Sequence, residues 1–303
     1  MNCILIEELN KAAQTPETLI SEGEKIYTDQ ISAAAERIFE ERAERPIVLI
    51  SGPSGSGKTT SANRVAHLLE QRGSKAHTIS MDNYFLPMHE NEAARDKDGK
   101  IDFESPQRLD IPLFREHLEK LFRCEEIQIP TFDFARQERC EGMPLKRQKG
   151  DIVILEGIHA LNPLLTGDCE DFTRCIYVSV RTRIADGEQL LHPSKIRLMR
   201  RLMRDKLYRG RDLSETFEFF KSVERGENLY IMPYKHRADF DIDTFIKYEA
   251  LVYRDILLPE LKKSSESYAD YSDYADIEKF LELLAPIDRD LVPDNSLIRE
   301  FIG

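Results

Sequence analysis

No apolar run in this chain approaches the ~18 residues that a membrane span requires. The first residues, MNCILIEELNKAAQ, are acidic where a secretory signal would be basic. Both absences point to a cytoplasmic protein without a membrane partner. Cysteine is scarce: Cys3, Cys124, Cys140, Cys169 and Cys175 are the five among 303 residues, an odd count with no CxxC spacing. That argues against a disulfide framework or a zinc cluster and leaves reduced, mostly structural thiols. Positive charge is in deficit, with 43 Lys and Arg against 55 Asp and Glu, a net charge of −12. A surface of that sign disfavours nucleic acid as a partner, because phosphate binding needs cations. No internal repeat and no long low-complexity tract is present. Apolar residues at 41% and charged residues at 32% suffice for a packed core and exclude a disordered chain.

What is present alternates strand-like and helical segments. Residues 17–44 read as a helix, with Ile26, Gln30/Ile31, Ala34 and Ile38 at i+4 spacing and Pro46 ending the pattern. Short apolar runs follow at Ile47–Ser51, Ala76–Ser80 (weaker), Ile152–Glu156, Cys175–Val180 and Ala238–Ile242. Runs rich in Val and Ile without alternation suit parallel strands buried on both faces. The expected fold is α/β, a three-layer sandwich around a parallel sheet. Three parts are expected: a helical N-terminal extension (1–45), a main α/β domain (46–262) and a C-terminal extension (263–303). Residues 88–110 read as a charged surface insertion and 263–276 as a polar linker, followed by a short helix at Ile277–Leu284.

The segment Gly52–Thr59, GPSGSGKT, fits G-x-x-x-x-G-K-[ST] between a strand and a helix carrying Ala62, Val65, Ala66 and Leu69. In such a P-loop the glycines let the backbone wrap phosphate oxygens with its N–H groups, and the helix N-terminus adds a favourable dipole. Gly52, Ser54, Gly55, Ser56, Gly57, Lys58, Thr59 and Thr60 are therefore the candidate ATP contacts. Lys58 would reach the β- and γ-phosphates and Thr59 would bind Mg²⁺. The spacing is not the G-x-G-x-x-G of a dinucleotide fold. No N-K-x-D is present to read guanine, and the D-x-x-G match at Asp96–Gly99 sits in a charged turn.

Two acids stand at strand ends, where ligands of parallel sheets bind: Asp82 and Glu156. A carboxylate beside a phosphate loop can hold Mg²⁺ or take the proton of an acceptor hydroxyl; a lone one is more often an N-cap or a solvated strand end. Between Lys195 and Arg211 lie eight cations, with only Asp205 opposing them. Arg197, Arg200, Arg201 and Arg204 share one helical face, with Ile196, Met199, Leu202 and Met203 supplying an apolar side. This reads as a lid closing over ATP, or else as a solvated helix face or a nucleic-acid or membrane patch.

With GPSGSGKT, SMDNYF (80–85), PTFDFARQER (130–139), IVILEG (152–157) and RRLMRDKLYRGRD (200–212) in order, the chain resembles the uridine kinase and phosphoribulokinase family over roughly residues 46–262. Residues 223–240 and 295–303 resemble a long-form bacterial uridine kinase-like branch. The resemblance implies a cytosolic kinase that moves the γ-phosphoryl group of ATP, with Mg²⁺, to the 5′-hydroxyl of a nucleoside such as uridine or cytidine. It implies Asp82 as base, Thr59 and Glu156 with nearby Asp82 organising the metal, Glu104 on ribose hydroxyls, and Phe132 and Phe134 lining the base pocket. It also places Arg201 toward the nucleoside and Arg204, Arg209 and Arg211 on the phosphates. Phe132 stands where the family has tyrosine, Gln137 where a base-reading histidine is usual, and Glu104 where aspartate is usual. The Gln137 amide could serve uracil or cytosine by turning over, which predicts weak discrimination between them. The expected partner is a small nucleoside, and a homo-oligomer is compatible with the sequence. Two other readings stay open: a kinase of the same family acting on another alcohol or a sugar phosphate, and a nucleotide-sensing or RNA-binding protein with weak ATPase activity.

Overall fold

The computed structural model describes residues 2–87, 94–95, 99–263 and 271–303. The chain opens with β1 (Cys3–Leu5), α1 (Ile6–Ala12) and the long α2 (Pro16–Glu41). There follow β2 (Ile47–Ser51), α3 (Lys58–Gln71), β3 (Ala76–Ser80) and α4 (Ile111–Phe122). Next come β4 (Glu126–Asp133), β5 (Glu138–Lys146), β6 (Ile152–Glu156), α5 (Pro163–Thr166) and β7 (Thr173–Ser179). Then come β8 (Arg183–Asp186), β9 (Gln189–Leu191), α6 (Pro193–Arg209), α7 (Leu213–Gly226) and β10 (Phe240–Asp243). Among the described residues, three helices close the chain: α8 (Glu249–Lys263), α9 (Ser272–Leu283) and α10 (Arg299–Ile302).

Five strands form one parallel sheet in the order β10-β7-β2-β6-β3. Every residue of β2, β6 and β7 is buried, because helices cover both faces. Side-chain alternation divides these strands between two cores. Val48, Ile50, Ile152, Ile154, Ile176 and Val178 face one apolar cluster; Ile47, Leu49, Val153, Leu155, Cys175 and Tyr177 face the other. Strand β3 is one edge of the sheet and is only part-buried, which accounts for its weaker apolar signal. All five cysteines are free, and Cys169 and Cys175 are buried. No helix among the described residues is long and apolar enough to cross a membrane.

Several expectations need correction. The buried face of α2 is Leu19, Ile20, Gly23, Tyr27, Ile31, Ala34, Ala35 and Ile38, while Ile26 is exposed. A helix advancing 100° per residue puts Tyr27, not Ile26, on the stripe with Ile31. The region 88–110 is not all surface: Ala94, Asp102, Ser105, Pro106, Arg108 and Leu109 are buried. Positions 96–98 of the Asp96–Gly99 match lie outside the described residues. Residues 272–276 belong to α9 rather than to a linker, so that helix starts earlier than the apolar pattern indicates. Two small sheets stand beyond the expected strands: the antiparallel pair β4-β5 and the set β1-β8-β9. The flanking segments share the main apolar core, where Tyr27, Leu297 and Phe301 join Val48 and Ile50 in one cluster.

Candidate active site

The phosphate loop leaves the carboxyl end of β2 and turns into α3 at Gly57, which holds φ at +82° in the left-handed region where a side chain would strain. The loop carbonyls are satisfied from behind. Arg197 Nη1 donates to Ser54 O at 3.1 Å, Arg200 Nη1 to Gly55 O at 3.1 Å, and Thr244 Oγ1 to Ser56 O at 2.7 Å. With those carbonyls engaged by α6 and the β10–α8 connection, the loop is braced as an anion-binding cradle. Lys58 Nζ folds back onto Pro53 O at 3.3 Å, and Arg201 donates to Ser54 Oγ.

The acids converge on this loop from two neighbouring strands. Thr59 Oγ1 donates to Glu156 Oε1 at 3.1 Å, joining the start of α3 to the end of β6. Asp82 follows β3 in a 3₁₀ turn and is exposed to solvent. Its carboxyl is pushed up to about 6 by burial of its surroundings and by the charge of Glu156, against the pull of Lys58 and Arg209. Glu104 rises to about 7, again through burial first, with Arg201 and Lys58 opposing the rise. Two carboxyls displaced toward neutrality beside a phosphate loop make this the candidate functional centre.

The donors present suit a hard cation. Thr59, Glu156 and Asp82 offer only oxygen, as Mg²⁺ prefers. Among the described residues no group of three or more His, Cys, Asp or Glu could hold a metal by itself.

The basic helix differs from the expected lid. In α6, Arg197, Arg200 and Arg201 are buried, and Arg200 forms a fully buried pair with Glu249, at 2.7 and 2.9 Å. Arg197 pairs with Glu227 at 2.5 Å. The body of α6 is thus a fixed wall behind the phosphate loop, because carboxylates far along the chain neutralise it. Only its end stays open. Buried Asp205 gathers Arg201, Arg204, Arg209 and Arg211, the last two 45% and 40% exposed. Cations outnumber the single carboxylate there, and Arg209 acts electrostatically on Asp82. Glu249→Gln should cost about 3–5 kcal/mol of folding stability by leaving Arg200 buried without its counter-charge; thermal or denaturant unfolding measures it.

The sequence model of the Phosphoribulokinase / Uridine kinase family matches residues 47–249. The chain belongs to this family. It is a phosphotransferase with an alcohol acceptor. Uridine kinase of Lactobacillus helveticus is 31% identical over 205 residues, covering 65% of this chain and 86% of that protein. Uridine kinase of Borrelia duttonii is 32% identical over 199 residues, covering 65% of this chain and 85% of its own. D-glycerate 3-kinase from Cryptococcus neoformans is similar in structure, with TM-score 0.50 and 15% identity over 67% of this chain and 88% of that one. That likeness concerns the fold alone.

The hairpin β4-β5 and the turn after β3 carry the aromatic residues expected at the base pocket. Phe132 is buried and Phe134 exposed; both pack on Phe85, with ring centroids 5.8 and 5.7 Å from it. Arg139 fastens the hairpin, pairing with Asp110 at 2.9 Å and donating to the carbonyls of Phe85 and Tyr84. Gln137 sits at the exposed hairpin turn with φ +57°, and its Nε2 donates to Phe134 O at 2.8 Å. Glu104 is held in place by its neighbour Asp102, which pairs with Arg225 at 2.8 Å and accepts from Tyr230 OH at 2.8 Å.

Sequence reasoning passed over three buried residues here. His159 lies three positions past Glu156 and is fully enclosed; burial drives its pKa down to about 3, and its Nδ1 has no hydrogen-bond partner. Arg108 is buried above the Phe85 ring with Nε and Nη1 unpartnered. Gly226 is the third: a Cβ there would fall 2.2 Å from Glu104 Cβ. Gly226→Ala should therefore displace Glu104 and lower kcat/KM for the acceptor about tenfold, with KM for ATP little changed. Steady-state kinetics with each substrate varied in turn would check this, and equal loss in both KM values would contradict it.

Proposed function

We propose that the chain transfers the γ-phosphoryl group of ATP to the 5′-hydroxyl of a pyrimidine nucleoside, uridine or cytidine, with Mg²⁺. The observation that carries this reading is the convergence of Lys58, Thr59, Asp82 and Glu156 at the carboxyl ends of neighbouring strands. The names of the relatives support the acceptor class.

In this reading Thr59 and Glu156, with Asp82 nearby, hold Mg²⁺, which when bound neutralises charge on the β- and γ-phosphates. Backbone amides from Gly55 to Thr60 receive the phosphates at the start of α3. Asp82 accepts the proton of the 5′-hydroxyl as its oxygen attacks the γ-phosphorus; a base raised to about 6 is better matched to that task than an ordinary aspartate. Lys58, Arg204, Arg209 and Arg211 meet charge on the transferring group. Glu104 faces the ribose hydroxyls, Phe132 and Phe134 flank the base, and Arg201 stands between Ser54 and Glu104.

The test is ADP release with a panel of uridine, cytidine, purine nucleosides and sugar phosphates. Pyrimidine nucleosides should give the highest kcat/KM. A preference for a sugar phosphate would replace the proposed acceptor, and ADP release independent of any acceptor would replace the kinase reading with that of an ATPase.

A further inference from the structure

The residues matched by the family end at 249, yet two elements outside them grip the nucleotide loop. Leu297 Cδ1 lies 2.8 Å from where a Gly57 Cβ would stand, so its side chain covers the turn into α3. Glu300 Oε2 accepts from Thr60 Oγ1 at 2.5 Å. Gly57 and Thr60 bracket Lys58 and Thr59, which the proposed chemistry assigns to the phosphates and to Mg²⁺. From the other flank, Tyr27 of α2 hydrogen bonds Ser61 at 2.8 Å, and Ser61 Oγ donates to Gly57 O at 2.8 Å. The flanks also join each other: Glu24 Oε1 accepts from Ser296 Oγ at 2.5 Å. Phe301 lies under the Arg200 guanidinium, 5.2 Å from its ring centroid, and that guanidinium holds Gly55 O.

We infer that residues 295–303, braced by α2, are a working part of the adenine-nucleotide site: a clamp that fixes the first turn of α3 and so positions Lys58 and Thr59. This rests on the proposed ATP-dependent reaction. The physical reason is pre-organisation. Gly57, like Gly55, holds a left-handed φ that glycine leaves freely, and without a neighbour over it the turn would lose geometry that phosphate binding then has to restore. Leu297 restrains Gly57 by contact, and Glu300 restrains Thr60 by a hydrogen bond. They are positioning residues, because each acts through the loop.

The experiment is calorimetric titration of the full chain with ADP and with ATP, alongside KM for the acceptor and thermal unfolding. Leu297→Ala should weaken nucleotide binding about tenfold and leave acceptor KM within twofold. Glu300→Ala should weaken it about threefold, and Glu300→Gln, which still accepts from Thr60, should restore it. Glu300→Ala and Thr60→Val should not add, since each removes the same bond. Unchanged nucleotide affinity in a folded Leu297→Ala would overturn the clamp. If Leu297→Ala does not fold, the Glu300 pair decides: equal binding by Glu300→Ala and wild type overturns it. Tighter binding by both Glu300 variants would make the carboxylate an electrostatic opponent of phosphate and would also overturn it. Failure of the unaltered chain to bind any adenine nucleotide would instead overturn the functional reading itself.

Discussion

Lys58→Ala is expected to reduce phosphoryl transfer at least ~10³-fold, about 4 kcal/mol of transition-state stabilisation. The ammonium belongs to the first residue of α3 and in the free chain rests on the Pro53 carbonyl, 3.3 Å away, a contact easily exchanged for a phosphate oxygen. The cations behind the loop are already engaged. Arg197 and Arg200 are committed to Glu227, Glu249 and the loop carbonyls, and the open guanidiniums lie at the far end of α6. Alanine should also weaken ATP binding, because the ground state loses the same cation. The fold should survive, since Lys58 is only part-buried and makes one hydrogen bond. Single-turnover transfer with saturating ATP separates the two effects. Activity near that of wild type would remove the phosphate loop from the chemistry.

That residue was legible in the sequence because a phosphate loop is built from consecutive residues and depends on backbone more than on surroundings. The central strands were legible for a related reason. IVLIS and IVILE are apolar at each of their first four positions because both faces are covered, and no other common element needs that pattern. Strands β4 and β5 escaped notice because one face of each meets water. Their burial alternates irregularly, and the turn uses Gln137 at positive φ where glycine or asparagine would have signalled it. The arginines of α6 suggest a lid over ATP or a solvated helix face because local sequence shows only Asp205 beside them. Their true partners, Glu227 and Glu249, lie 30 and 49 positions further on, and nothing in the helix announces them. The burial of Asp102 is likewise set by Arg225 and Tyr230, on the far side of the sheet's worth of chain between them. Buried ion pairs and capped insertions are fixed by distant partners, whereas periodicity reports only which side of an element is apolar.

Asp82→Asn is expected to lower kcat by 10²-fold or more while leaving ATP affinity nearly unchanged. Asparagine keeps the size and polarity of the side chain but accepts no proton, so the acceptor hydroxyl would have to attack undeprotonated. Stability should move the other way. In the folded chain Asp82 is held above its ordinary pKa by desolvation and by Glu156, so its charged form is destabilised there. A neutral amide removes that repulsion, and the variant should unfold at the same temperature as wild type or higher. This pairing of lost activity with kept or gained stability is typical of a residue retained for chemistry at the expense of the fold. It also excludes misfolding as the cause of the loss. The decisive measurement is kcat beside the unfolding midpoint on the same preparation. Intact kcat with a raised acceptor KM would make Asp82 a binding group and move the proton to another acceptor. Reduced kcat with a lowered midpoint would make its role structural.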